Sequence, residues 1–267
     1  MRYISIPAYI KKHLQNTSSI EGQSHLLKKN IENLLKVGEP LVSVIIPAYN
    51  EEQNILRTLS SLSNTISQKS VEIIVVDNNS SDNTKALVQL SGANYMFEPV
   101  PGVENARNKG LTNAKGQYII SADADTLYSP YWVDLMTDPL IKGTDIACSY
   151  GKFSFIPEPG YTRAGFFLYE QLGDIFKKIN GITKDKAMYV YGCSSAYRKE
   201  QALSVNGYDH PPNTNEDGYL GVKLREKFGR LHQVTDKKSY AWTSSRKFVQ
   251  DGTLTSRVFK KVKEMFY

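Results

Sequence analysis

Short runs of apolar, β-branched residues alternate with stretches of apolar residues at helical spacing in the first half of the chain. The runs at 41–47 and 71–76 are almost continuously apolar, a pattern typical of strands buried on both faces. Shorter runs at 95–100 and 118–120 predict two more strands, and the segments between them predict helices. This alternation predicts an α/β fold with a mostly parallel central sheet flanked by helices. Ligands of such sheets bind beyond the carboxyl ends of the strands.

Polar residues after the first two strands are expected to begin the helices. Asn50 is a favourable N-cap, and two glutamates follow it in the first turn. Ser80 or Ser81 is predicted to cap the next helix, which should stop at Gly92. A further helix is predicted over 102–114.

The pattern is looser outside this segment. A polar N-terminal extension over 1–40 contains one amphipathic helix pattern, formed by Leu27, Ile31, Leu34 and Leu35. Beyond 126, the sequence predicts helices at 130–140, 161–179 and from 216, and strands at 146–155 and 188–197. We therefore expect a main domain over 41–250, followed by a basic tail over 251–267.

Composition narrows the class of protein. With 40% hydrophobic and 11% aromatic residues in 267, the chain is globular. A net charge of +6 favours an anionic partner, such as a phosphorylated small molecule, an anionic membrane surface or nucleic acid. Two cysteines in no metal-ligand spacing favour free thiols over disulfides. Because no secretory signal or membrane span is apparent, we expect a cytoplasmic protein, soluble or attached peripherally to the inner face of the membrane.

Several common nucleotide and hydrolase motifs are missing. No G-x-G-x-x-G follows the first strand and no G-x-x-x-x-G-K-S/T occurs, which disfavours dinucleotide oxidoreductases and P-loop ATPases. No G-x-S-x-G occurs either, which weakens an α/β-hydrolase interpretation.

Acidic residues at strand ends are the remaining candidates for chemistry. Asp123 and Asp125 point to the same side of an extended backbone, and a bound Mg²⁺ would keep both carboxylates ionised. A polar turn after a strand explains them equally simply. Asp77 is either a ligand for a base or ribose or a helix cap, and Arg107 is either a phosphate partner or a solvated helix residue. Asp217, beside Glu216 at a helix start, is stabilised there in any case.

Five short segments together resemble the successive signatures of inverting family-2 glycosyltransferases, over about residues 41 to 250. They are Pro-Ala-Tyr-Asn-Glu at 47–51, Val-Asp-Asn-Asn-Ser-Ser-Asp at 76–82, Ala-Arg-Asn at 106–108, Asp-Ala-Asp at 123–125 and Asn-Glu-Asp at 215–217. The resemblance implies a GT-A fold, with a nucleotide-binding half over 41–126 and an acceptor-binding half over 127–250. It also implies a nucleotide-diphosphate sugar donor, usually a UDP-sugar, rather than nucleic acid as the partner.

The same resemblance assigns roles to residues. Nucleotide-binding positions are Pro47, Ala48, Tyr49, Glu51, Asp77, Arg107, Asp123 and Ala124. Asp123 and Asp125 would hold Mg²⁺ or Mn²⁺ on the diphosphate, and Asp217 would be the catalytic base. Diphosphate or acceptor contacts fall on Arg246, Ser245, Glu216, Gly192 and Cys193.

The implied reaction is chemically coherent. A carboxylate takes the proton of the attacking acceptor hydroxyl, while a metal ion and an arginine stabilise the departing diphosphate. One base and direct displacement invert the anomeric centre. The Q-x-x-R-W signature and membrane spans of processive synthases are absent, which predicts transfer of a single sugar to a glycan or lipid-linked acceptor. The basic, amphipathic tail is either a membrane contact or a solvated helix.

Two alternatives remain at this stage. A sugar-nucleotide pyrophosphorylase would also bind its nucleotide at the carboxyl ends of a parallel sheet. It usually has a Gly-rich basic loop after the first strand, however, where this chain is acidic. The other is an inactive glycosyltransferase-like domain that binds a glycan or a protein partner.

Overall fold

The computed structural model describes residues 2–14, 17–180, 185–246 and 248. The predicted basic tail over 251–267 lies outside these residues. The strands are β1 (Val42–Ala48), β2 (Val71–Asp77), β3 (Asn94–Phe97), β4 (Tyr118–Ser121), β5 (Thr126–Leu127), β6 (Ile146–Tyr150), β7 (Phe153–Ile156), β8 (Ser195–Arg198), β9 (Arg230–Gln233) and β10 (Ala241–Ser244).

Helices precede, separate and follow these strands. They are α1 (Ala8–Lys11), α2 (Thr17–Glu21), α3 (Ser24–Glu32), α4 (Ile55–Leu62), α5 (Thr84–Ser91), α6 (Val103–Asn113), α7 (Trp132–Lys142), α8 (Arg163–Asn180), α9 (Lys199–Leu203) and α10 (Glu216–Phe228). Two short 3₁₀ helices span Lys186–Tyr189 and Lys237–Ser239. No helix in the described part of the chain has the length and apolar character needed to cross a bilayer.

The main sheet of the described residues has seven strands in the order β3-β2-β1-β4-β8-β6-β9. All its pairs are parallel except those that β8 makes with β4 and β6, so the predicted mostly parallel sheet is confirmed. Every residue of β2 is buried, as its continuous apolar run requires. Helices cover both faces of the sheet, and two clusters of apolar side chains form the core between them.

A second, three-stranded sheet pairs β10, near the end of the described residues, with β5, which follows β4. Its order is β5-β10-β7, with β10 antiparallel to β5 and parallel to β7. The N–H of Ser244 donates to the carbonyl of Asp125 at 3.0 Å. Residues more than 100 positions apart therefore meet beside the Asp123–Asp125 turn.

The predicted start of the helix after β1 is wrong. Asn50 has a φ of +52°, and α4 begins only at Ile55, after Asn54. Tertiary contacts hold Asn50 in this conformation: its N–H donates to Ser80 Oγ at 2.9 Å, and its Oδ1 accepts from the N–H of Ser81 at 2.8 Å. Asn tolerates a left-handed backbone better than most residues, which allows this turn.

The predicted caps of the next helix are also wrong. Helix α5 begins at Thr84, and the residue whose side chain serves its first turn is Asp82. Asp82 Oδ1 accepts from the Thr84 N–H at 2.9 Å. Ser80 and Ser81 instead bind the Asn50 turn, so these serines connect two loops rather than begin a helix.

Two predicted strands after residue 140 are divided differently in the structure. The single strand expected over 146–155 is broken at Gly151, whose N–H donates to the Ser194 carbonyl at 2.9 Å. Its two parts, β6 and β7, belong to different sheets. The strand expected over 188–197 forms only from Ser195, because a 3₁₀ helix and a turn precede it. These departures place the turn at 191–194 next to the end of β4.

Candidate active site

A cleft of about 1020 Å³ lies at the carboxyl ends of β1, β2 and β4, where the parallel sheet predicts a ligand. The cleft is lined by residues from the turn after β1, the loop before α6, the turn after β4, the turn before β8, the start of α10 and the segment after β10. Of the residues predicted from sequence, those that line it are Pro47, Ala48, Tyr49, Glu51, Arg107, Asp123, Ala124, Asp125, Gly192, Cys193, Glu216, Asp217 and Arg246.

Two predicted site residues do not line the cleft. Asp77 is 2% exposed, and its carboxylate accepts from the Ser80 N–H and from the Tyr95 hydroxyl, both at 3.0 Å. Ser245 is fully buried, and its Oγ accepts from the Glu158 N–H at 3.0 Å. Both side chains therefore form hydrogen bonds that hold the loops around the cleft, without facing the cleft themselves.

Arg107 lies at the centre of the site. Helix α6 carries it, and its side chain is 3% exposed. Its Nη2 donates to Asp123 Oδ1 at 3.0 Å, and its Nε lies 3.6 Å from Asp217 Oδ1 and 3.9 Å from Glu216 Oε1. Burial opposes the positive charge, but the surrounding acidic groups raise the pKa of Arg107 well above its ordinary value. The guanidinium is a permanent cation shared by three carboxylates.

Asp217 is buried at the start of α10. Asn215 caps this helix by accepting from the Gly218 N–H at 2.8 Å, which confirms the predicted helix start. Burial raises the pKa of Asp217 to about 7; Arg107 opposes this shift, while Glu216 and Asp123 add to it. Its Oδ1 is buried and has no hydrogen-bond partner among the described residues. A carboxylate in this state exchanges a proton near neutral pH.

Gly192 allows the close approach of these charged groups. A Cβ at this position would overlap the Arg107 guanidinium and lie 2.5 Å from Asp217 Oδ2. Both neighbours are buried and held by ionic contacts, so neither moves aside freely. The site therefore requires a residue without a side chain at position 192, for reasons of space rather than of backbone conformation.

The turn after β4 is held by a buried tyrosine that sequence reasoning missed. The Asp123 N–H donates to the Tyr128 hydroxyl at 2.9 Å, and that hydroxyl donates to the Cys193 carbonyl at 3.1 Å. Thr58 Oγ1 donates to the Ala124 carbonyl at 2.7 Å. Tyr128 thereby ties the Asp-Ala-Asp turn to the 192–193 turn. No local sequence pattern distinguishes Tyr128, because an aromatic residue after a short strand is common in any hydrophobic core.

The Asp-Ala-Asp turn fits a divalent cation that takes part of its ligand shell from substrate. Asp123 and Asp125 both line the cleft. Within the described residues, no group of three or more His, Cys, Asp or Glu side chains forms a metal site. Two carboxylates without a third protein ligand suit Mg²⁺ or Mn²⁺, which commonly completes its shell with water and substrate phosphates.

An ion pair crosses the cleft from the first half of the chain to the last. Arg246 Nη2 donates to Glu51 Oε1 at 2.7 Å, and Asn54 Nδ2 donates to Glu51 Oε2 at 2.7 Å. Glu51 is buried, whereas the Arg246 side chain is 32% exposed. The pairing fixes the Pro47–Glu51 turn against the segment after β10. Sequence reasoning singled out both residues but not their contact.

Tyr208 packs against Arg107, although the sequence alone did not single it out. Its ring centroid lies 5.6 Å from the Arg107 guanidinium carbon. Its hydroxyl forms short hydrogen bonds with the hydroxyls of Ser121 and Tyr197. Its backbone N–H donates to Asn108 Oδ1 at 2.8 Å. Tyr208 thus connects α6, β4 and β8 around Arg107 without lining the cleft itself.

Comparison with known proteins found a family model and individual relatives that match this chain. Residues 43–203 match the family model described as "Glycosyl transferase family 2". The chain is 33% identical to chondroitin synthase of Escherichia coli over 129 residues, which are 46% of this chain and 18% of that protein. It is 32% identical to dolichol-phosphate mannosyltransferase of Pyrococcus furiosus over 114 residues, which are 40% of this chain and 32% of that protein. The chain therefore spans well under half the length of these relatives.

A solved structure also resembles the fold. It is glucosyl-3-phosphoglycerate synthase from Mycobacterium tuberculosis, in complex with Mn²⁺, UDP-glucose and phosphoglyceric acid. The TM-score is 0.56 at 21% sequence identity, and the match covers 89% of this chain and 81% of that one. At this identity the likeness shows the fold, which is the GT-A arrangement expected from sequence.

Proposed function

The chain belongs to glycosyl transferase family 2, and from that premise we propose that it moves one sugar from a UDP-sugar to an acceptor hydroxyl with inversion. Asp217 is the proposed general base. Asp123 and Asp125 are the proposed ligands of Mg²⁺ or Mn²⁺ on the donor diphosphate. The observation that carries the proposal is the ionic cluster at the carboxyl ends of the strands, in which the buried Arg107 and Asp217 meet the more exposed Asp123 and Glu216.

The donor side of the cleft supports a nucleotide sugar. Pro47, Ala48 and Tyr49 line it beside the Asp-Ala-Asp turn, and Tyr49 is 63% exposed, which leaves its ring available to a base or ribose. The solved structure from M. tuberculosis holds UDP-glucose and Mn²⁺ on the same fold. A donor with a uracil nucleotide and a metal-bound diphosphate is consistent with both observations.

The proposed transfer is a direct displacement. The acceptor oxygen forms a bond to the anomeric carbon as the bond from that carbon to the diphosphate oxygen breaks, and UDP leaves with the electron pair. The acceptor proton passes to Asp217, whose pKa of about 7 suits a base at neutral pH. A double displacement requires a carboxylate that attacks the sugar, a role that this scheme does not need.

Positive charge near the diphosphate stabilises the leaving group. A divalent ion held by Asp123 and Asp125 would neutralise negative charge on the departing diphosphate. Arg246 lies at the cleft edge and remains partly exposed while paired with Glu51, so its guanidinium is the proposed protein partner of the diphosphate. Arg107 is more deeply buried and serves to hold the carboxylates in place.

The acceptor is proposed to be a glycan or a lipid-linked acceptor. Two relatives carry names that fit this range: chondroitin synthase and dolichol-phosphate mannosyltransferase. Non-processive transfer is proposed because the segment at 242–248 lacks the Q-x-x-R-W signature. The basic sequence over 251–267 supports peripheral contact with an anionic membrane, which sedimentation with anionic lipid vesicles would test through loss of binding on removing the tail.

A donor screen tests the proposal. UDP release is measured with UDP-glucose, UDP-galactose, UDP-N-acetylglucosamine and UDP-glucuronate, each with Mg²⁺, Mn²⁺ or EDTA. We expect metal-dependent release with at least one donor, and loss of release in Asp217→Asn with nucleotide binding near normal. Asp145→Asn is the matched control, because Asp145 is a surface carboxylate paired with Arg230 and does not line the cleft.

Calorimetry with UDP and Mn²⁺ separates this proposal from the alternatives. Metal-dependent UDP binding without turnover on any donor would favour an inactive sugar-nucleotide-binding domain. Absence of metal-dependent UDP binding would contradict the proposed donor class. Full activity of Asp217→Asn would reject Asp217 as the base.

A further inference from the structure

One wall of the cleft is aromatic, and nothing in the proposed donor chemistry uses it. Phe153, Phe155, Tyr191 and Phe248 line this side and are called the aromatic wall below. Ring centroids are 5.2 Å apart for Phe153 and Tyr191, 5.3 Å for Phe153 and Phe155, and 5.0 Å for Phe155 and Phe248. The first three rings are only half buried, so they present apolar surface to the cleft.

The aromatic wall begins beside the proposed base. Tyr191 directly precedes Gly192, whose missing side chain leaves room for Asp217. The wall is built from β7, the turn before β8 and the segment after β10. The residues proposed for the nucleotide lie elsewhere in the cleft: Pro47, Ala48 and Tyr49 at the end of β1, and Asp123 and Ala124 after β4. A molecule that packs on the wall therefore lies next to Asp217 without occupying the nucleotide positions.

The charges of the cleft disfavour an anionic acceptor. Among the described lining residues there are five carboxylates, those of Glu51, Asp123, Asp125, Glu216 and Asp217. Of the two arginines that line the cleft in the described part of the chain, Arg107 is paired with Asp123, and Arg246 is paired with Glu51 and proposed for the donor diphosphate, so neither is assigned to the acceptor. An acceptor that carries phosphate or carboxylate at the reacting sugar would meet net negative charge close to Asp217.

From these observations we propose that the aromatic wall is the acceptor subsite, and that it takes the terminal, uncharged sugar of a glycoside. A pyranose has an apolar face of C–H groups and a polar rim of hydroxyls. The apolar face packs on the rings, as aromatic surfaces favour, and the rim places a hydroxyl towards Asp217. The assignment of the attacking hydroxyl rests on the proposed function, whereas binding of the sugar to the wall does not.

Binding is tested first, without a donor. Saturation-transfer NMR is recorded with methyl β-glucopyranoside, methyl β-N-acetylglucosaminide and glucose 6-phosphate on the intact chain and on Phe153→Leu, Tyr191→Leu and Tyr191→Phe. We expect transfer to the ring protons of a neutral glycoside, loss of this signal in both leucine variants and retention in Tyr191→Phe. Tyr169→Leu is the matched control, because Tyr169 packs on Phe155 and Phe248 but does not line the cleft.

Acceptor kinetics provide the second readout, with the donor found active in the screen. In Phe153→Leu and Tyr191→Leu the acceptor KM should rise about ten-fold, because stacking on an aromatic ring contributes on that order. The donor KM and the acceptor-independent release of UDP should stay within two-fold. Tyr169→Leu should leave all three constants near those of the unaltered chain.

Each outcome decides the proposal. Strongest saturation of glucose 6-phosphate, no saturation of any neutral glycoside, or equal signals in the leucine variants and the unaltered chain would overturn it. A loss of signal in Tyr169→Leu equal to that in Tyr191→Leu would also overturn it, because the effect would then follow the packing of the ring cluster. If the screen finds no active donor while the NMR pattern holds, the proposed function fails and the sugar subsite stands.

Discussion

Replacing Asp217 with Asn should abolish sugar transfer and, above neutral pH, make the folded protein more stable. Asp217 is 5% exposed, and burial raises the pKa of its carboxyl group from 3.8 to about 7. Asn has almost the same shape and carries no charge. The variant thus removes the cost of ionising a buried carboxyl group while it removes the base.

The size of the expected change in the free energy of unfolding follows from the shift in the pKa of Asp217. About three pKa units correspond to about 4 kcal/mol, an upper value because relaxation and water entry reduce it. Between about pH 4 and pH 7 the folded chain binds one proton that the unfolded chain has released, so the stability of the unaltered protein falls as pH rises through this window. Arg107 keeps Asp123 at 3.0 Å and Glu216 at 3.9 Å in the variant, so its charge remains paired.

Urea unfolding at pH 4.5, 6 and 8 measures the effect. The stability of Asp217→Asn relative to the unaltered chain should increase from pH 4.5 to pH 8 by a few kcal/mol. Asp145→Asn is the control: Arg230 holds the pKa of Asp145 below its usual range, so this carboxyl group stays ionised and the relative stability of the variant should change little from pH 4.5 to pH 8. In the unaltered chain, kcat/KM should rise with pH through about pH 7, where half of Asp217 is ionised, and level off above it. A relative stability that stays constant across these pH values would refute a carboxyl group that titrates near 7.

Three further predictions concern the surroundings of this group. Gly192→Ala should lower kcat at least ten-fold, because the added Cβ overlaps Arg107. Gly22→Ala is the control and should leave kcat unchanged, because a Cβ there has only ordinary contacts, the nearest at 3.6 Å. Equal kcat values for the two variants would contradict the argument that position 192 has no space for a side chain. Asp125→Asn should raise the Mn²⁺ concentration needed for half-maximal UDP release at least ten-fold, and EDTA should stop the reaction of the unaltered chain; activity in EDTA would reject metal dependence. Tyr208→Phe should lower the free energy of unfolding by about 1–3 kcal/mol, because it leaves the buried hydroxyls that bond to Tyr208 with one partner fewer, and thermal unfolding without a shift would count against that network.

Much of the fold could be predicted from local pattern. The almost continuously apolar runs at 41–47 and 71–76 predict buried parallel strands, and β1 and β2 form there, because a strand covered on both faces has no position for a solvated residue. Helix α6 was expected over 102–114 and spans Val103–Asn113. The predictions that were wrong involve loops. Asn50 adopts a positive φ because residues 30 positions away bind it, and no local pattern encodes those partners.

The sequence by itself determined which residue types stand at the ends of the strands and at the start of α10, because chain order and strand direction place them at one edge of the sheet. Asp123, Asp125 and Asp217 are in that set, and all three line the cleft. Only the tertiary structure decided that Arg107 joins Asp123 to Asp217, that Gly192 leaves room for them and that Asp77 turns away from the cleft. The reason is physical: the charge state of a carboxyl group depends on its burial and on nearby charges, and in this site those come from segments up to about 100 residues apart.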